Sequence, residues 1–124
     1  MTRPGRTAAR PAGLLTLAAG RGLYGLVLLT APGPLLTAVA GGVRPGGRER
    51  AVARVLGARH VAQALISAAA GRQSLAPGAA VDGLHAASML ALAAGRPALR
   101  RAALADGTIA GILSGIGAVL AELG

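Results

Sequence analysis

Runs of Ala, Leu, Gly, Val and Ile alternate along this chain with short breaks rich in Arg, Gly and Pro. Residues 1–12 form a basic tail with Arg3, Arg6 and Arg10, and Pro4 and Pro11 argue against stable structure there. The first apolar run predicts a helix over 13–30. Ala31-Pro32-Gly33-Pro34 then breaks it, because two prolines around a glycine do not continue a helix. Residues 35–43 are apolar and few, which fits an interfacial or re-entrant segment. A basic, Gly-rich loop over 44–50 leads to a second helix over 49–70, with Gly71 as its C-cap. Residues 72–78, with Pro77, read as a loop. A third helix covers 79–94 and stops at Gly95-Arg96-Pro97. Pro97 suits the first turn of a fourth helix reaching residue 120. No strand alternation or internal repeat is visible. The pattern predicts an all-α fold, a small transmembrane helical bundle of about four helices. A short interfacial or re-entrant segment follows the first, and residues 13–124 form one membrane-embedded domain.

Composition sharpens this picture. Hydrophobic residues make up 53% of the 124, yet Tyr24 is the only aromatic. A water-soluble core of this size normally packs around Phe and Trp. In lipid, small residues serve instead, because they let helix backbones approach, and the chain has 20 glycines. The uncharged runs are mostly shorter than the ~20 residues of a spanning helix. Interior-facing polar groups and snorkelling arginines therefore have to complete the spans. An Ala-rich soluble helical interaction module is the alternative. A cleaved secretory signal ending near Ala38-Val39-Ala40 is a further option, but Arg21 interrupts its apolar stretch.

All 13 basic residues are Arg, and the net charge is +9. The arginines cluster between apolar runs, as in cytoplasmic loops, and no exposed aromatics or nucleic-acid motif accompany them. The lipid bilayer is thus the expected partner and nucleic acid is not. A second copy or another membrane protein stays open. Loops 44–50 and 96–101 hold three Arg each and should face the cytoplasm, giving a multi-pass protein of the cell membrane. Four spans put both termini outside. A return of residues 34–43 through the membrane would bring the basic tail inside.

Charged and titratable groups inside the apolar runs mark the candidate site: Arg21, Arg59, His60, Asp82 and His85. A charge at a bilayer's centre costs about 2.5–3.5 kcal/mol on insertion scales, so it faces a partner or a cavity. Arg59 lies too deep to snorkel. Asp82 is its favoured acid and Asp106 the competitor, although a 72–78 loop sets Asp82 eight residues, about 12 Å, from Arg59. Asp82 and His85, three apart, share a helix face, where the carboxylate could orient the imidazole. Gln63 and Ser67 would line the same region. Two His and one Asp have no metal-ligand spacing, so neither metal nor cofactor is expected. Without Cys, P-loop, dinucleotide fingerprint, HExxH or a nucleophile elbow, no enzyme is expected either. Gly107, Gly111 and Gly115 form a GxxxGxxxG stripe predicting a close helix contact, and Ala79, Gly83, Ala87, Ala91 and Gly95 repeat that spacing.

The segments GRGLYGLVLLTAPGPLL, RAVARVLGARHVAQALI and AVDGLHAASMLALA together resemble a family of uncharacterised small four-helix integral membrane proteins of high-GC bacteria. The likeness rests on Arg21, Gly25, Ala31-Pro32, Gly57, Arg59 and Asp82, and covers roughly residues 18–92. It implies the same fold and no activity. The functional expectation is a non-enzymatic membrane bundle with a buried Arg/Asp/His cluster. A small transporter or ion-coupled carrier using that cluster is the alternative.

Overall fold

The structure, a computed structural model, describes residues 9–39, 41–42 and 44–123. Four long helices make up most of it: α1 (Ala9–Thr30), α3 (Gly47–Ala70), α4 (Leu75–Gly95) and α5 (Arg100–Glu122), with a short α2 (Pro32–Val39) after the first. Single 3₁₀ turns, Gly71–Ser74 and Pro97–Leu99, precede α4 and α5. There is no strand among the described residues.

Several boundaries depart from the pattern for one reason. Proline is tolerated in a first helical turn, where the missing N–H has no intrahelical partner anyway. Thus α1 begins at Ala9 and includes Pro11, so the end of the expected tail is helical, while Arg3, Pro4 and Arg6 lie outside the described residues. Pro32 and Pro34 start α2 rather than a loop, and only Ala31 interrupts the helix. Ala40, the end of the suggested cleavage site, lies outside the described residues. Pro77 sits near the start of α4, so residues 75–78 are helix. The chain instead reverses at Gly71, whose φ of +63° suits a residue without Cβ.

The helices pair closely as α1 with α3 and as α4 with α5. Both pairs are antiparallel. Along α1 from Gly22 to Leu28, the neighbours on α3 run back from Ala64 to Gly57. At the crossing, a Cβ on Gly25 would lie 2.7 Å from the Gly57 carbonyl oxygen, and one on Gly57 would lie 2.6 Å from that of Gly25. Only glycine permits this approach. In the second pair, Gly107 faces Met89, Gly117 faces Ala79, and the Ser114 hydroxyl donates to the Ala79 carbonyl at 2.7 Å.

The glycine stripe of α5 is therefore only partly at a contact. A Cβ on Gly111 or Gly115 would meet nothing within 4 Å. A strict four-residue step drifts about 40° around the helix each time. The buried face instead follows Ala103, Gly107, Ala110 and Gly117, alternating steps as a packed face does. On α4 the same drift leaves Ala87, Ala91 and Gly95 exposed.

The bundle runs up-down-up-down. The α1–α3 connection, with α2, and the α4–α5 connection lie at one end, which carries Arg44, Arg48, Arg50, Arg96, Arg100 and Arg101. The α3–α4 turn lies at the other end, with the start of α1 and the end of α5. There Arg72 donates to the Ala121 carbonyl at 2.8 Å, satisfying a helix-end acceptor. At eight residues α2 is about 12 Å long, too short to cross the ~30 Å of a bilayer's hydrocarbon. Among the described residues α2 packs against α1, α3 and α5.

The polarity of the bundle is inverted. Its largest fully buried side chains are His60 and Asp82, and Arg21 is 4% exposed. Leu23, Val55, Leu65 and Leu84 are each at least 65% exposed. The outward hydroxyls of Thr16, Thr30, Ser88 and Thr108 donate to the carbonyl four residues before, so they offer no unsatisfied donor to the surroundings.

The close crossing makes a direct test. Gly57→Ala should destabilise the protein in detergent by about 1–3 kcal/mol, since a Cβ there pushes on backbone. Gly111→Ala, on the open face of α5, should hold or raise the unfolding midpoint. Equal effects of the two would contradict the α1–α3 crossing.

Candidate functional site

Two polar layers lie one helical turn apart in the middle of the bundle. The first is centred on Asp82, which is completely buried on α4. The Arg21 guanidinium of α1 grips it through both nitrogens, Nη1 to Oδ1 at 2.9 Å and Nη2 to Oδ2. Such two-pronged pairing is the strongest geometry an arginine and a carboxylate can adopt. Arg59 of α3 adds Nη2 to Oδ1 at 3.2 Å, and Arg21 Nη1 also donates to Gln63 Oε1 at 2.9 Å.

The second layer lies three residues further along α1 and α4, toward the Arg-rich end. Asp106 of α5 accepts from the Tyr24 hydroxyl at 2.7 Å and is 2.6 Å from His85 Nε2. His60 packs beside Tyr24, ring edge to ring face, with centroids 5.0 Å apart. The Gly25–Gly57 crossing makes room for it, since a Cβ on Gly25 would lie 2.9 Å from the His60 Cβ. With neutral imidazoles, the charges of Arg21, Arg59, Asp82 and Asp106 cancel. A buried Arg59 Nη1 and His60 Nδ1 have no hydrogen-bond partner among the described residues.

The structure brings together Arg21, Arg59, His60, Asp82 and His85, and it assigns their partners. Arg59 does reach Asp82, but Arg21 holds it more fully. The eight-residue offset vanishes because the hairpin reverses at Gly71, not within 72–78. That change moves Asp82 level with Arg59, and one turn away Gln63 lies beside Gly78. His85 pairs with Asp106 rather than with its own-helix neighbour Asp82, whose two oxygens are taken by guanidiniums. Tyr24 and Asp106 are site residues that the reading of the sequence left outside the cluster. Their spacing was visible, since Tyr24 follows Arg21 by three, and Asp106 lies in a helix with few other charges.

Two cavities approach the layers from opposite ends. One, of about 210 Å³, is lined by Leu17, Arg21, Gln63, Ser67, Leu75 and Gly78 and lies toward the α3–α4 turn. The other, of about 320 Å³, lies toward the Arg-rich end, with Tyr24 and Asp106 among its lining residues. Among the described residues, no group of three His, Asp or Glu side chains converges as a metal site would. Chemically, Asp82 is a carboxylate locked between two arginines, which do not deprotonate in proteins. This is a fastening arrangement. No family model, curated protein or solved structure matches the chain.

Removing one member of a buried ion pair strands the other, a loss of about 3–5 kcal/mol. Arg21→Ala and Asp82→Ala should each lower folded yield in detergent sharply, and the double variant should recover part of the loss. Arg59→Ala should be milder, because Arg59 makes one contact to Asp82 and is 25% exposed. Simple additivity of the Arg21 and Asp82 losses would show that the two are not coupled.

Proposed function

We propose that this protein is a non-enzymatic, multi-pass integral protein of the cell membrane, in which the Arg/Asp/His/Tyr layers fix how the helices assemble. The observation that carries this reading is the inverted polarity. A soluble bundle exposing so many Leu, Val and Ile side chains while burying Arg21, His60 and Asp82 would oppose the hydrophobic effect on both counts. In lipid both placements are favourable. Three helical stretches are long and apolar enough to cross a membrane by length and composition: Ala12–Thr30, Gly47–Gly95 and Pro97–Glu122. The middle one reverses at Gly71 and supplies two of the four helices.

The arginine distribution supports an orientation in which the Arg-rich end, with α2, faces the cytoplasm. A small ion-coupled carrier is the second reading, favoured by the two cavities that reach the polar layers from opposite ends. Flux driven by a proton gradient in proteoliposomes, lost in Asp106→Asn, would favour it over the assembly role.

After an alkaline carbonate wash the protein should remain in the membrane pellet, and recovery in the supernatant would overturn the reading. In intact cells, single-Cys variants at Gly47 and Leu99 should resist an impermeant thiol reagent while one at Ser74 labels. The opposite labelling would invert the orientation.

A further inference from the structure

The two buried carboxylates are treated differently. Asp82 meets two permanent cations, Arg21 and Arg59. The hydrogen-bonding partners of Asp106 are a phenol and an imidazole, and neither is a fixed cation. Asp106 is also mostly buried, at 15% exposure. A carboxylate in such surroundings gains strongly from any cation that reaches it, because the low dielectric amplifies the attraction.

Asp106 lines the cavity of about 320 Å³. That volume falls at the lower end of the ~300–1,000 Å³ range of small-molecule sites. The walls come from all five helices and are almost wholly apolar, as with Leu28, Leu36, Val52 and Leu92. The polar lining residues are Tyr24, Asp106, Arg48 and Glu49, of which Arg48 and Glu49 carry opposite charges. A largely apolar cavity with a mostly buried carboxylate in its wall sets both the body and the head of its ligand.

We propose that this cavity binds a compact apolar molecule carrying a single ammonium group, with Asp106 as its counter-ion. The apolar body fills the space between α2 and the bundle. The ammonium N–H donates to Asp106, which uses two of the roughly four acceptor positions a carboxylate has. A neutral molecule of the same shape gains the apolar burial but not the charge pairing. A carboxylate of the same shape meets repulsion from Asp106. The proposal rests on the membrane reading above only in requiring a bilayer around the protein.

The test uses the whole chain in lipid nanodiscs at neutral pH. Titration calorimetry compares 1-adamantylammonium, 1-adamantanol and adamantane-1-carboxylate, three probes of one shape and different charge. The ammonium should bind saturably at one site, with the alcohol weaker by at least about tenfold, the scale of one charge-assisted hydrogen bond. The carboxylate should not bind. Asp106→Asn should remove the advantage of the ammonium over the alcohol. Ala102→Trp, which fills the cavity and leaves Asp106 in place, should abolish binding of both. Equal binding of the ammonium and the alcohol to the unaltered protein overturns the proposal, as does unchanged binding in either variant. If a variant fails to fold, the three probes on the unaltered chain still decide. Carbonate-resistant protein that binds no ammonium refutes this proposal alone, whereas release by carbonate refutes the membrane reading.

Discussion

The two-pronged bond between Arg21 and Asp82 joins the two halves of this molecule. One half is the α1/α3 pair and carries Arg21 and Arg59; the other is the α4/α5 pair and carries Asp82 and Asp106. Arg59 to Asp82 and Tyr24 to Asp106 cross the same boundary. A small apolar cluster of Leu14, Leu17 and Leu75 supplements them toward the α3–α4 turn. Each half alone would leave charges in an apolar interior with nothing to neutralise them, which is expensive in lipid. Assembly of the pairs sets Asp82 against Arg21 and Arg59. A buried ion pair is weak evidence for stability in general, since an apolar substitute can serve as well. What it supplies here is register: the guanidinium fork meets Asp82 in one alignment of α1 against α4.

That alignment depends on how closely α1 and α3 approach. The Gly25–Gly57 crossing lies one turn from Arg21 and directly beside His60. It sets the Tyr24 and His60 rings against each other and places Arg59 on the side of α3 that reaches α4. A chain with a single aromatic residue cannot fill its interior with large apolar side chains. Its core is instead built from Ala and Gly backbones in contact, with Arg, His and Asp as the large units. Leu14, Leu17, Leu28 and Leu75 join that core, while many other leucines, valines and isoleucines, such as Leu23, Val55, Leu65 and Leu84, lie on the outside.

Much of this was legible in the sequence. The helices follow from the apolar runs and their Arg/Gly/Pro breaks, and the buried cluster follows from charges placed inside those apolar runs. What was misread comes from two sources. Prolines ordinarily signal breaks, yet at positions 32, 34 and 77 the first helical turn accommodates them. The supposed loop around Pro77 then moved Asp82 away from Arg59. The glycine stripe was read by spacing alone, without the drift that turns Gly111 and Gly115 outward. Which base takes which acid depends on distances between helices distant in sequence, and Arg21 lies 61 residues from Asp82. No local pattern carries that information.

The central claim is that the apolar surface faces lipid while the charges face each other. Nitroxide labels on single cysteines report this directly through collisions with oxygen, which concentrates in lipid, and with a water-soluble nickel complex. Leu23, Leu65, Leu84 and Ile112 sample the outward surface of the four long helices, and Ala79 and Ala110 sample the interior. Labels at the four outward positions should collide frequently with oxygen and rarely with nickel, while those at Ala79 and Ala110 are shielded from both. Frequent nickel collisions at Leu84 and Leu65 would place that surface in water and contradict the account.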